Sequence, residues 1–190
     1  MLKKVFIMTL IGGAAMAAFA LTDQEVIQKA IADKTLVAWV TLDNMTQRGG
    51  SVLTIQSAEK FDAIVFGERK QGSWMAGSDG FRRTEKTQDA YPAETADSGT
   101  LVQMAIVYEG KAIRIYRNGE PYASYEAANI DLLTAKNAMA VFGLRHVGAR
   151  PGNRFSGSID DARIYARALT PGEIKSLIPN KASEIPVYAW

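Results

Sequence analysis

Ile113-Arg114-Ile115-Tyr116-Arg117-Asn118-Gly119-Glu120-Pro121-Tyr122-Ala123-Ser124-Tyr125 decides the fold class. Two runs of β-branched and aromatic residues flank Asn118-Gly119, both of which tolerate the positive φ of a type I′ turn, so the stretch predicts a tight antiparallel hairpin. Upstream, Leu101 to Tyr108 is a third strand, joined to Ala112 to Arg117 by Glu109-Gly110-Lys111. The three make a meander. Working outward, Leu36 to Leu42, Ser51 to Gln56, Ala63 to Phe66, Ser73 to Gly77, Met139 to Leu144 and Ser158 to Tyr165 are further short β-rich runs. They are broken by Gly49-Gly50, Ser57 to Lys60 and Gln71-Gly72. About nine short strands with frequent turns predict an all-β, antiparallel β-sandwich of jelly-roll type.

Short helices are expected at both ends. Thr22-Asp23-Gln24-Glu25 reads as a capping box for a helix through Asp33, with Val26, Ile27, Ala30 and Ile31 as its apolar stripe and Lys34-Thr35 as its exit. At the other end Thr170 is the expected N-cap, Pro171 sits at N1, Glu173 closes the box and Leu169 faces Ile174. Pro179 stops that helix, and 179–190 reads as an extended tail. Residues 77–100 form a long polar stretch, which in a folded domain is a functional or poorly ordered loop.

Met1-Leu2-Lys3-Lys4 followed by the apolar run Val5 to Phe19, with Ala18 and Ala20 flanking Phe19, has the form of a secretory signal cleaved after Ala20. The expected layout is therefore a signal at 1–20, an N-terminal helix at 21–35, a sandwich at 36–178 and the tail. Localisation is expected to be secreted or periplasmic. The chain carries 22 basic and 20 acidic residues; without Lys3 and Lys4 the charges balance. A neutral exported chain has no global field for nucleic acid, and none is expected as a partner. No membrane association is expected after cleavage. There is no cysteine, which removes thiol catalysis, disulfides and cysteine zinc sites.

Gly157-Ser158-Ile159-Asp160-Asp161-Ala162-Arg163-Ile164-Tyr165, followed by Arg167-Ala168-Leu169-Thr170 and a helix, resembles the C-terminal signature of laminin-G-like, concanavalin A-like lectin/glucanase domains. The hairpin Ile113 to Gly119 resembles the strand-turn-strand ahead of it. More narrowly, Thr35-Leu36-Val37-Ala38-Trp39-Val40 with Gln47-Arg48-Gly49-Gly50-Ser51 resembles accessory modules of secreted fructan-type glycoside hydrolases. The resemblance implies a glycan or polysaccharide as ligand and a glycoside hydrolase catalytic domain as a partner. It also implies a structural calcium ion, although the family's N-terminal Phe-Asp-Gly motif has no counterpart here.

Enzymes on such a sandwich use two carboxylates on one strand face, about 5–5.5 Å apart in retaining enzymes, which means i and i+2. Only Asp23 and Glu25 have that spacing, in a predicted cap. Asp160 and Asp161 are adjacent and on a regular strand face opposite ways. Asp161 then shares a face with Ile159, Arg163 and Tyr165, giving an ion pair with Arg163; ligation of calcium by Asp160 or Asp161 is the alternative. No catalytic residue is expected. Trp74, ahead of the long loop with Asp79, Phe81, Arg82 and Arg83, is the carbohydrate-binding candidate, because a sugar wants an exposed aromatic plane beside planar hydrogen-bonding groups. The competing reading is a Trp covering the sandwich edge. Arg145 and the single histidine, His146, are further ligand candidates, or else ordinary surface groups. The functional expectation is a non-catalytic carbohydrate-binding or accessory domain of an exported polysaccharide-processing protein. The alternative is a protein-interaction or structural module on the same fold, and a glycoside hydrolase is the third reading.

Overall fold

The computed structural model describes residues 33–131, 133, 138–150, 154–183 and 185. The expected signal over 1–20, the expected N-terminal helix up to residue 32 and most of 184–190 lie outside these. Among the described residues nine strands run in chain order: β1 (Lys34–Leu42), β2 (Gly50–Ser57), β3 (Lys60–Phe66), β4 (Trp74–Ser78), β5 (Val102–Glu109), β6 (Ala112–Arg117), β7 (Glu120–Glu126), β8 (Ala138–Phe142) and β9 (Gly157–Tyr165). The helix α1 (Pro171–Ser176) follows them. All strand pairs are antiparallel, in a five-stranded sheet ordered β7-β6-β5-β1-β9 and a four-stranded sheet ordered β4-β3-β2-β8. The sandwich expected from the sequence is the observed architecture. Lys34 and Thr35, read as the exit of a helix, are instead the first residues of β1.

The hairpin behaves as its residues require. Asn118 (φ 51°) and Gly119 (φ 77°) form the turn, and a Cβ on Gly119 would lie 3.1 Å from the Cα of Lys175 in α1. Only glycine suits both demands. The capping box is also present: Thr170 Oγ1 accepts from the Glu173 amide, and Glu173 accepts from the Thr170 amide at 2.8 Å.

Two apolar layers sandwich β1 and β5. Their inner faces, Leu36, Ala38 and Val40 with Met104, Ile106 and Tyr108, face the second sheet. Their outer faces, Val37, Trp39, Ala105 and Val107, lie beneath Leu169, Ile174 and Leu177. Burial on both sides is why Leu36 to Val40 is a continuous apolar run. Thr35 fastens the cover: its hydroxyl donates to the Arg167 carbonyl and accepts from the Leu169 amide, both at 2.9 Å.

A bulge in β9 corrects one sequence expectation. Val40 pairs with Ile159 and Trp39 with Asp161, so Asp160 is an extra residue without an opposite number. An inserted residue breaks the alternation of faces. Ile159 therefore faces the inner core, away from Asp161. The Asp160 and Asp161 carboxylates, expected on opposite faces, both reach Asn180: Asp160 accepts from its side-chain amide and Asp161 from its backbone amide.

Candidate functional site

The long polar stretch is an ordered strap over one end of the sandwich. Lys70 Nζ donates to the carbonyls of Asp89 and Tyr91, both at 2.6 Å, and Arg69 donates to the Lys86 carbonyl. Tyr122 hydroxyl donates to the Pro92 carbonyl and accepts from the Trp74 amide. Glu94 is the main anchor. Its carboxylate accepts from Trp74 Nε1 at 2.7 Å, from Arg117 through two nitrogens and from the Thr95 and Ala96 amides. Burial alone would raise its pKa, but the donors outweigh it and hold the carboxyl below its ordinary value.

Trp74 is thereby removed from the candidate site. Its ring is fully buried against Phe66, with centroids 4.8 Å apart, because β4 pairs Trp74 with Phe66 on the inner face. No ring plane is left for a sugar. Arg83 is likewise fully buried, and its guanidinium donates to Asp62 at 2.8 Å. The Lys34 ammonium lies 2.7 Å from the same oxygen, and both cations stand within 5 Å of the Tyr108 ring centroid. Two buried cations share one carboxylate. Desolvation outweighs the attraction of Asp62 and, with Arg83 beside it, lowers the Lys34 pKa.

What remains exposed is built on a strained turn. Asp79–Phe81 is a single 3-10 turn in which Gly80 (φ 53°) and Phe81 (φ 56°) are both left-handed. A bulky residue rarely adopts that conformation, and such strain clusters at ligand sites. The Phe81 ring is half-buried and carries the Arg69 guanidinium 5.2 Å from its centroid. Asp79 lies 3.9 Å from exposed Arg82. Residues 80–86 form one wall of a groove of about 400 Å³, and residues 125–129, from the end of β7 onward, form the other. Tyr125 hydroxyl spans the two walls by donating to the Arg83 carbonyl at 2.7 Å. Glu85, Lys86, Glu126 and Asn129 join Phe81 and Arg82 along it. These four carry no motif: they meet because the topology places β7 beside the strap, a juxtaposition invisible in local sequence.

Arg145 and His146 do not line this groove. Arg145 is paired with Glu68, and the His146 ring stacks on Phe61 at 5.1 Å with Nδ1 2.9 Å from the Val147 carbonyl. Asp161 accepts from the Arg163 guanidinium at 2.6 Å, and Asp160 from the Asn180 side-chain amide at 2.8 Å. Among the described residues no three His, Asp or Glu side chains converge as metal ligands.

A family model described as the concanavalin A-like lectin/glucanases superfamily matches residues 14–175. No curated protein sequence matches the chain. Among solved structures, domain 4 of AbnA, a GH43 extracellular arabinanase from Geobacillus stearothermophilus in complex with arabinotriose, is similar at TM-score 0.58 and 21% identity. The match covers 76% of this chain and 65% of that one. The Ruminococcus gnavus IT-sialidase CBM40 bound to α2,3-sialyllactose is similar at TM-score 0.55 and 13% identity, over 78% of this chain and 83% of that one. A heptameric SAP-like pentraxin from Limulus polyphemus matches at TM-score 0.58 and 14% identity, over 77% of this chain and 69% of that one. At these identities the likeness establishes the shared fold.

Proposed function

The chain belongs to the concanavalin A-like lectin/glucanase superfamily, and from that premise we propose that it is a non-catalytic carbohydrate-binding domain of an exported polysaccharide-processing protein. The observation that carries this reading is the Phe81 groove. A half-buried aromatic ring on a left-handed turn, carrying the Arg69 guanidinium, shares its groove with Arg82, Lys86, Asn129, Glu85 and Glu126, the mixture of apolar surface and hydrogen-bonding groups that a sugar's C–H face and hydroxyls require. Two structural neighbours with oligosaccharides bound, the arabinanase domain and the sialidase module, support it. The engagement of Asp160 and Asp161 by Arg163 and Asn180 favours binding over hydrolysis. Export is proposed from the signal-like run Met1 to Ala20.

Affinity electrophoresis through immobilised polysaccharides, with arabino-oligosaccharides and sialyllactose as soluble competitors, tests the reading. Retention of the wild type, lost in Arg82→Ala without a change in melting temperature and in Phe81→Ala with the β-sheet circular dichroism retained, is the expected result. A wild type retained by no glycan would overturn it. Release of reducing sugar above blank would overturn the non-catalytic part alone.

A further inference from the structure

Glycans are either neutral or acidic, and the charged groups around the Phe81 groove distinguish the two. A sugar carboxylate is recognised by a guanidinium that turns two parallel N–H donors toward it, or by a cation that water does not already solvate. Arg69, Arg82 and Arg83 stand at the groove, and none of them offers this. The Arg83 side chain is 0% exposed, and its guanidinium donates to Asp62 in the interior. Arg69 lies with its guanidinium on the Phe81 ring, and two of its nitrogens, Nε and Nη2, both donate to the Lys86 carbonyl, at 3.3 and 3.1 Å. Those two nitrogens are one of the edges with which a guanidinium grips a carboxylate. Arg82 has its Nε 3.9 Å from Asp79 Oδ2. Lys86, the remaining cation of the groove wall, is exposed, so its ammonium is hydrated.

The groove is better supplied with acceptors. Glu85 lines one wall and Glu126 the other. Glu85 Oε1 accepts from the Thr87 amide at 2.9 Å, and Oε2 is a further acceptor of the same group. An ionised carboxylate accepts hydrogen bonds and donates none, which suits a sugar hydroxyl. A sugar carboxylate has no proton to give at neutral pH and meets a like charge on either wall. Outside the buried Arg83–Asp62 pair, the cations Arg69, Arg82 and Lys86 are matched in number by Asp79, Glu85 and Glu126. No net field is left to draw an anion in.

Resting on the reading of this groove as the carbohydrate site, we propose that it selects neutral glycans against acidic ones, and that Glu85 and Glu126 determine that choice. Hydroxyl donors of the sugar meet the two carboxylates, and the Phe81 ring takes an apolar C–H face.

An array of neutral glycans beside their carboxylated counterparts tests this with the full chain; methyl-esterified against unesterified galacturonan, and lactose against α2,3-sialyllactose, are two such pairs. The wild type is expected to favour the neutral member by about tenfold or more. Its affinity is expected to change by less than about twofold between about 0.02 and 0.5 M salt. An acidic member bound as tightly as its neutral counterpart, or an affinity that falls several-fold with salt, overturns the inference and leaves the carbohydrate reading standing. A wild type that binds no member overturns both. Glu85→Gln/Glu126→Gln removes the two charges at nearly constant shape and is expected to narrow the neutral-to-acidic ratio by about tenfold, with the melting temperature within about 2 °C of the wild type. An unchanged ratio in that variant overturns the role of the two carboxylates.

Discussion

Neighbouring arginines in the strap have opposite fates, and substitution should separate them. Arg82 is exposed at the groove, so Arg82→Ala is expected to weaken glycan retention while changing stability by less than about 0.5 kcal/mol. Arg83 belongs to the buried trio with Lys34 and Asp62. The trio has one more cation than anion, which sets the order of damage. Asp62→Ala leaves two buried cations with no counter-charge and is expected to cost about 3–5 kcal/mol, whereas Arg83→Met leaves a matched Lys34–Asp62 pair and should cost distinctly less. Urea unfolding of both variants checks the order; an Arg83→Met cost equal to or above that of Asp62→Ala would contradict it. Glu94 is the strap's counterpart. Glu94→Ala strands the Trp74 indole N–H and frees Arg117, and a loss of about 3 kcal/mol is expected, read as a fall of roughly 6–12 °C in melting temperature.

Among the elements, α1 is the clearest case of local chemistry and tertiary packing agreeing. Six residues are too few for a helix to persist alone in water, so its cap and its burial must act together. Thr170→Ala removes the N-cap acceptor and is expected to cost about 1 kcal/mol, or about 2–4 °C in a thermal melt. The loss should be larger in Ile174→Ala, because that side chain is fully buried over the outer face of β1 and β5. The nine strands were legible from turn residues and apolar runs, and their ends differ from expectation by a few residues at most. Asp62 is the instructive miss. The strand expected from Ala63 extends back to Lys60, and only the opposing Lys34 and Arg83 make a buried aspartate there tolerable.

For the whole molecule, carboxylates held below their ordinary pKa should make stability fall in acid. Glu173 is held at about 2 against an ordinary 4.5, first by Arg167, and Glu94 and Asp161 are lowered as well. A carboxyl with a depressed folded-state pKa contributes its stability above its unfolded value and loses it as pH falls through the folded value. The melting temperature is therefore expected to drop as pH falls from about 4.5 toward 2. A flat profile across that window would show that the ion pairs add nothing. The sequence by itself determined the antiparallel sandwich, the Asn118-Gly119 hairpin and the capped C-terminal helix, since each rests on residues close along the chain whose backbone preferences admit few alternatives. It also placed Phe81 and Arg82 in a candidate site. Tertiary structure decided the rest. Burial took Trp74 and Arg83 into the core, one bulge set Asp160 and Asp161 around Asn180, and the meeting of the strap with β7 made the groove. Which face a side chain takes, and what stands across from it, depends on pairings between residues far apart in sequence, and no local pattern encodes them.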